Sequence, residues 1–228
     1  MSKLIRITCI TIMFSLLLMI LPVSAINVNK PVYKSKCCEE KKIALTFDDG
    51  PHPKKTEEIL NILKKYDVKA TFFVIGVNVK NYPKTMEKII NEGHEIGNHT
   101  YSHRKLKGIG KEEIKKEINK TEEILTKIGN KSYLIRPPCG EYDENLVDLA
   151  IENDYKIVLW NIDTKDWAHT SKEEIVEKVI SNSSGGDIIL FHDYLTGKNN
   201  TVEALEIIIP KLINSGYEFV TAGELLQE

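Results

Sequence analysis

Seven short apolar runs alternate with longer amphipathic segments between residues 43 and 227 of this 228-residue chain, and that alternation admits few folds. The runs at 43–47, 70–75, 94–97, 133–136, 156–161, 187–191 and 217–220 read as buried strands. Between them, 55–66, 85–91, 111–128, 144–153, 172–181 and 202–213 carry helical spacing, and a short helix at 223–227 follows. The segment 111–128 is the clearest, with Ile114, Ile118, Leu125 and Ile128 on one face. Strand then helix, repeated, predicts a parallel α/β sheet. Two closures compete: a distorted (β/α) barrel of about seven strands, or an open doubly wound sheet. No Gly-rich phosphate loop is present, since Gly185-Gly186 stands alone before a strand. The chemically capable residues fall after the first, third, fourth, fifth and sixth strands, where (β/α) barrels build their active sites. A single barrel domain over 42–228 is therefore expected.

The first 25 residues are different material. Lys3 and Arg6 precede an apolar run from Ile7 to Leu21, and Val23-Ser24-Ala25 offers a small-residue cleavage site. This is the layout of a secretory signal peptide, with a mature start near Ile26. The run is also nearly long enough for an uncleaved N-terminal anchor. Both place the domain outside the cytoplasm, secreted or held at the cell surface. Residues 26–41 read as a polar linker, and no second apolar stretch is long enough to span a membrane. The leader carries two cations and no acid, so its removal takes the formal charge from −2 to −4, which gives no support to nucleic-acid binding. Of four cysteines, Cys9 lies in the leader. Cys37, Cys38 and Cys139 form neither a disulfide framework nor a zinc spacing.

Thr46-Phe47-Asp48-Asp49-Gly50 ends the first strand with two adjacent carboxylates. Alternation along the strand points them in different directions. A metal-assisted hydrolase needs one carboxylate for the ion and one for protons. His99-Thr100-Tyr101-Ser102-His103 follows the third strand, and imidazoles four apart can share one face of a helical turn. With Asp49 they make a two-His, one-carboxylate set that leaves positions open for water and substrate, as zinc catalysis requires. Iron uses the same set. Arg136-Pro137-Pro138-Cys139-Gly140 offers Arg136 as a partner that keeps Asp48 charged and aimed, and an N–H near Cys139 for an oxyanion. Asp163-Thr164-Lys165-Asp166-Trp167 supplies an aromatic wall, and Leu190-Phe191-His192-Asp193 a candidate acid, His192, oriented by Asp163. Taken singly, each has a bland reading: an acidic turn, a surface histidine pair, a proline-stiffened loop, a semi-buried histidine.

Together these five segments, in this order, resemble the polysaccharide deacetylase family, carbohydrate esterase family 4, over about residues 42–226. The resemblance implies a distorted (β/α) barrel and metal-dependent removal of acetyl groups from N-acetylated sugars. It implies Asp48 as general base, and Asp49, His99 and His103 as ligands of a divalent ion, usually zinc. By the same resemblance His192 is the general acid with Asp163 tuning it, Arg136 orients the base, and Trp167 and Leu190 wall the acetyl pocket. Cys139 departs from the pattern, standing where the family commonly carries an aromatic residue, which leaves substrate preference open. With the export signal, peptidoglycan is the first expectation for the polymer, and a chito-oligosaccharide or another surface polysaccharide the alternative. A catalytically silent glycan-binding barrel is a second class. A glycosidase using the Asp48-Asp49 pair fits poorly, because such enzymes place their carboxylates across the scissile bond.

Overall fold

The computed structural model describes residues 31–37, 39–194 and 200–227. The expected leader, residues 26–30 of the expected linker and Cys38 lie outside them. In chain order the elements are β1 Val32–Tyr33, β2 Lys42–Asp48, α1 Lys55–Lys65, β3 Thr71–Val74, α2 Gly76–Asn81, α3 Pro83–Asn91, β4 Glu95–Asn98, α4 Lys111–Lys127 and β5 Leu134–Ile135. There follow α5 Glu144–Glu152, β6 Lys156–Val158, β7 Ile162–Asp163, α6 Lys172–Asn182, β8 Ile188–His192, α7 Thr201–Asn214, β9 Glu218–Phe219 and α8 Ala222–Leu225. Among the described residues no helix is long and apolar enough to cross a membrane.

The strands form one parallel sheet in the order β1-β6-β5-β4-β3-β2-β8-β7, with β9 added to the start of β2. The run expected as a single strand at 156–161 divides in two. Its first part, β6, pairs with β5, and β7 pairs with β8. One chain segment thus serves both edges of a curled sheet, with residues 159–161 joining them. A flat doubly wound sheet has no such junction, so the distorted barrel is the architecture found. The expected linker also enters the domain early: Val32 and Tyr33 pair with Ile157 and Val158, because the outer edge of β6 accepts a further strand.

β2 shows how the core positions chemistry. Ile43, Leu45 and Phe47 face the helical layer, where Phe47 stacks between Phe72 and Phe191 at centroid distances of 5.0 and 5.7 Å. Ala44 belongs to a second cluster with Phe73, Leu134, Val158 and Ile188, filled at its base by Ala222, Leu225 and Leu226 of the C-terminal segment. Period-two alternation puts Thr46 and Asp48 on that same inner face. α4 buries Ile114, Glu117, Ile118, Thr121 and Leu125, while Ile128, expected on the same face, caps the helix and is exposed. The sequence reading missed α2. It falls between β3 and α3, where Pro83 starts α3 at a position that suits a residue with no N–H to donate.

Candidate active site

Functional side chains collect at the C-terminal ends of β2, β4, β5, β7 and β8. Asp48, last of the inward series on β2, is buried. Asp49 leaves the strand with φ 79°, a left-handed conformation that costs a non-glycine residue about 1–3 kcal/mol. Asn78 Nδ2 donates to the Asp49 carbonyl at 2.7 Å, and the Ile75 N–H to the Gly50 carbonyl at 3.0 Å, which holds the turn. Behind it the buried Asp193 carboxylate packs so closely that a Cβ on Gly50 would lie 2.1 Å from Oδ2, and Thr56 Oγ1 donates to that oxygen at 2.5 Å. Burial pushes Asp193 up to about 7.

His99 and His103 do meet, with ring centroids 5.1 Å apart, but not on a helical turn. The loop takes left-handed residues at Thr100 (φ 70°) and His103 (φ 59°) instead. α4 holds it from behind. Glu117 accepts both the N–H and the hydroxyl of Ser102 at 2.9 Å. The Asn98 amide donates to Glu122 at 2.7 Å and to the Ile118 carbonyl at 3.1 Å, while its oxygen accepts the Thr100 N–H at 2.9 Å.

Asp49, His99 and His103 each present one donor atom within 4.8 Å of the others, and Cys139 is not in that group. His99 Nδ1 lies 2.7 Å from the Arg136 carbonyl, which only accepts, so Nδ1 carries the proton. Nε2 then faces Asp49 Oδ1, 3.5 Å away, with His103 Nε2 at 3.2 Å from the same oxygen. Asp49 Oδ1 is buried and accepts no hydrogen bond. Three lone-pair atoms converging on one point, one of them orphaned, fit a cation. Burial alone would raise the Asp49 carboxyl, but the facing His99, with His192 and His103, holds it below the usual range. Burial would lower His99, yet the charges of Asp48 and Asp49 raise it. His103 is lowered, by burial and by His99.

Arg136 is 0% exposed, and its side chain bonds the chain where β6 gives way to β7. Nε donates to the Val158 carbonyl and Nη2 to the Leu159 carbonyl, both at 2.9 Å, at the last residue of β6 and the one after it. Nη1 donates to Thr46 Oγ1 and to Asp48 Oδ1, both at 2.8 Å. The guanidinium sits over Phe73, 4.0 Å from the centroid. The expected Arg136–Asp48 pair is thus present, and the same residue seals the barrel junction.

The sequence reading gave His192 to Asp163, and here the structure corrects it. His192 Nδ1 lies 2.7 Å from Oδ1 of Asp166, whose Oδ2 accepts the His192 N–H at 2.8 Å and the Thr201 hydroxyl at 2.6 Å. Asp163 accepts the Lys165 N–H at 2.8 Å. The reason is register: Asp163 pairs with Leu190, so a partner for His192, two residues on, comes from beyond Asp163. Burial pushes His192 down, but Asp166, Asp48 and Asp49 carry it up to about 9. Leu190 is buried and shares the inner face of β8 with His192, while Trp167, 51% exposed, follows Asp166 in a 3-10 turn. Cys139 is an exposed free thiol at φ 60°. Asp166, Glu117, Asn78 and Asp193 escaped the sequence reading; the strand register would have found the first, and no sequence spacing marks the others.

Known proteins resemble this chain in sequence and fold. The family model described as polysaccharide deacetylase matches residues 35–158. A peptidoglycan-N-acetylglucosamine deacetylase of Bacillus cereus is 45% identical over 187 residues, 81% of this chain and 68% of that protein. A crystal structure of a peptidoglycan N-acetylglucosamine deacetylase bound to a naphthyl N-hydroxybenzamide superposes with TM-score 0.84 at 42% identity, covering 86% of this chain and 92% of that one. A CE4 family pseudoenzyme from Bacillus anthracis reaches 0.80 at 30% identity, over 86% and 68% of the two chains.

Proposed function

This chain belongs to the polysaccharide deacetylase family, and from that premise we propose that it hydrolyses N-acetyl groups from peptidoglycan amino sugars, using a divalent ion, zinc first, held by Asp49, His99 and His103. The observation that carries the reading is the orphaned Asp49 oxygen facing two imidazole nitrogens, beside a separate carboxylate and a separate acid. An ion held there would polarise the acetyl carbonyl and make bound water acidic. Asp48, aimed by Arg136, takes the proton of the attacking water. His192, protonated at neutral pH and aimed by Asp166, gives a proton to the departing sugar nitrogen. The Cys139 backbone N–H serves the oxyanion, and Trp167 and Leu190 enclose the acetyl methyl. The products are acetate and a free amine on the sugar.

The apolar leader supports action outside the cytoplasm, on the wall itself. The Bacillus anthracis pseudoenzyme warns that the fold alone does not bring turnover. Against a silent barrel stands the full set here: two aspartates, two ligand histidines, Arg136 and His192. Acetate release from purified peptidoglycan by the metal-loaded protein, with loss on chelation and return with zinc, tests the reading. Acid hydrolysis of the product identifies which sugar gained the amine. No acetate from peptidoglycan would sink the substrate proposal, and activity indifferent to chelation would sink the ion.

A further inference from the structure

A cavity of about 540 Å³ opens at the N-terminal ends of β4, β5 and β6, the end of the barrel away from the ion ligands and the proton-transfer groups. Its size is that of a small-ligand site. Four charged groups line it. Glu95 is already engaged, its Oε2 accepting the Thr71 hydroxyl and the Gly223 N–H at 2.8 Å. Lys131, Lys156 and Asp154 have no ion-pair partner among the described residues. Lys131 Nζ rests over Tyr133, 4.7 Å from the ring centroid, and Lys156 Nζ donates to the Leu226 carbonyl at 3.5 Å. His94, pushed down to about 4 by burial, lines the cavity as a neutral ring. Resting on the reading above that peptidoglycan is the substrate, we propose that this cavity binds the peptide stem of the wall. Lys131 and Lys156 take its terminal carboxylate, and Asp154 the side-chain amine of its diamino acid.

Three features support a peptide there. Unpaired charges of both signs call for a ligand that carries both, and a neutral N-acetylated glycan carries neither. A stem peptide brings a carboxylate and an amine, with amide groups for Asn130 and Gln227 between them. The second feature is a preorganised rim. Two turns carry it, 128–133 before β5 and 153–155 before β6, and the Lys156 N–H donates to the Tyr133 carbonyl at 2.8 Å, binding one to the other. Ser132 Oγ accepts the Leu134 N–H at 3.1 Å, and Asp154 is set by a left-handed turn at φ 57°. Held side chains spare the bound peptide part of the ordering cost. The third feature is reach. Seven residues of β2 separate floor from mouth, about 20 Å of strand, whereas a four-residue stem extends about 14 Å at most. A stem on the floor therefore belongs to a different glycan strand from the one at the mouth. Peptidoglycan is a network of such strands, so two contacts on it give the enzyme avidity for intact wall.

The test reads dissociation constants for a soluble stem, alanyl-γ-glutamyl-lysyl-alanine, and for the same peptide acetylated on its lysine. Acetate release is read on intact peptidoglycan and on glycan strands stripped of peptide by an amidase. Lys131→Gln combined with Lys156→Gln is expected to weaken binding of both peptides by about tenfold, the scale of one lost hydrogen bond to a charged group. Asp154→Asn is expected to weaken the free-amine peptide by about as much and to leave the acetylated one unchanged. On intact peptidoglycan kcat/KM should fall by up to about tenfold in the lysine variant, with stripped strands turned over as before. Lys131→Gln alone, at an exposed turn, should move the same readings in the same direction without a folding loss. No binding of the stem to the unaltered protein, equal losses on intact and stripped wall, or variants that weaken a glycan oligomer instead of the stem overturn the proposal. If the unaltered protein releases no acetate from any substrate, the deacetylase reading falls, and the peptide dissociation constants still decide the cavity.

Discussion

At the N-terminal end of the sheet, Glu95 is held by the Thr71 hydroxyl and the Gly223 N–H, both at 2.8 Å, and pins α8 across the barrel floor. At the opposite end Asp49 keeps a buried oxygen with no hydrogen bond, turned toward two imidazoles. Both carboxylates are half-buried, and Glu95 finds donors where the buried Asp49 oxygen finds none. A satisfied buried acid fastens elements together, while an unsatisfied one among lone pairs suits a cation. This matches the division in (β/α) barrels between a stabilising N-terminal face and a reactive C-terminal one.

The sharpest way to break the contrast is at the mouth. His192→Ala should lower turnover by about 10² to 10⁴, the scale for one acid–base partner, with little change in melting temperature. A matching fall in melting temperature would mean that the mouth is built like the floor. Arg136→Met is expected to blur the contrast. It strands Asp48 and two junction carbonyls, so about 3–5 kcal/mol of stability should go together with activity, read from urea midpoints. A variant of unaltered stability would show that Arg136 serves the base alone.

The floor has its own titration. Burial, and then the charge of Lys69, hold His94 down to about 4, against an ordinary 6.5. Folding favours the neutral ring, whose Nδ1 accepts the Ala70 N–H at 3.2 Å. The linked stability is fully present above pH 6.5 and is lost as pH falls toward 4, about 3 kcal/mol over the window. His94→Gln should flatten that stretch of the stability profile in urea titrations from pH 7 to 4 and leave turnover at neutral pH alone. An unchanged slope would remove His94 as its source.

How legible each end was in the sequence follows from the same physics. Asp48, Asp49, His99, His103, Arg136 and His192 sit one or a few residues past apolar runs, so a one-dimensional strand reading places them at the mouth. The Asp166–His192 contact needs two-dimensional information, the register of β7 on β8, and the reading chose the nearer Asp163. The division of 156–163 into two strands depends on curvature, which periodicity does not encode. Glu117 was further out of reach. It is a buried acid on an otherwise amphipathic helix, and its partner, Ser102, lies in a loop whose left-handed turns no spacing announces. If Glu117 fixes the ligand histidines, Glu117→Ala should weaken metal binding by about 10- to 100-fold in a competing-chelator titration. Unchanged affinity would reduce it to a helix–loop clasp.

The smallest expected effect is at Glu95, and it tests the contrast most cleanly. A Cβ on Gly223 would meet Glu95 Oε1 at 1.9 Å, so the carboxylate lies directly against the α8 backbone. Burial raises this carboxyl, against the pull of the Gly223 and Thr71 hydrogen bonds, so its charge is not what the floor needs. Glu95→Gln keeps an acceptor oxygen for Thr71 and Gly223 and removes the charge. Stability should change by no more than about 1 kcal/mol, the net worth of one such hydrogen bond, with metal affinity and turnover unaltered. The same neutralising change at the mouth, Asp49→Gln or Asp49→Asn, removes the anionic oxygen that the two imidazoles face and should abolish metal binding in the same titration. If Glu95→Gln lowered metal affinity, the two ends would be coupled through β4, and the division between a floor that fastens and a mouth that reacts would fail.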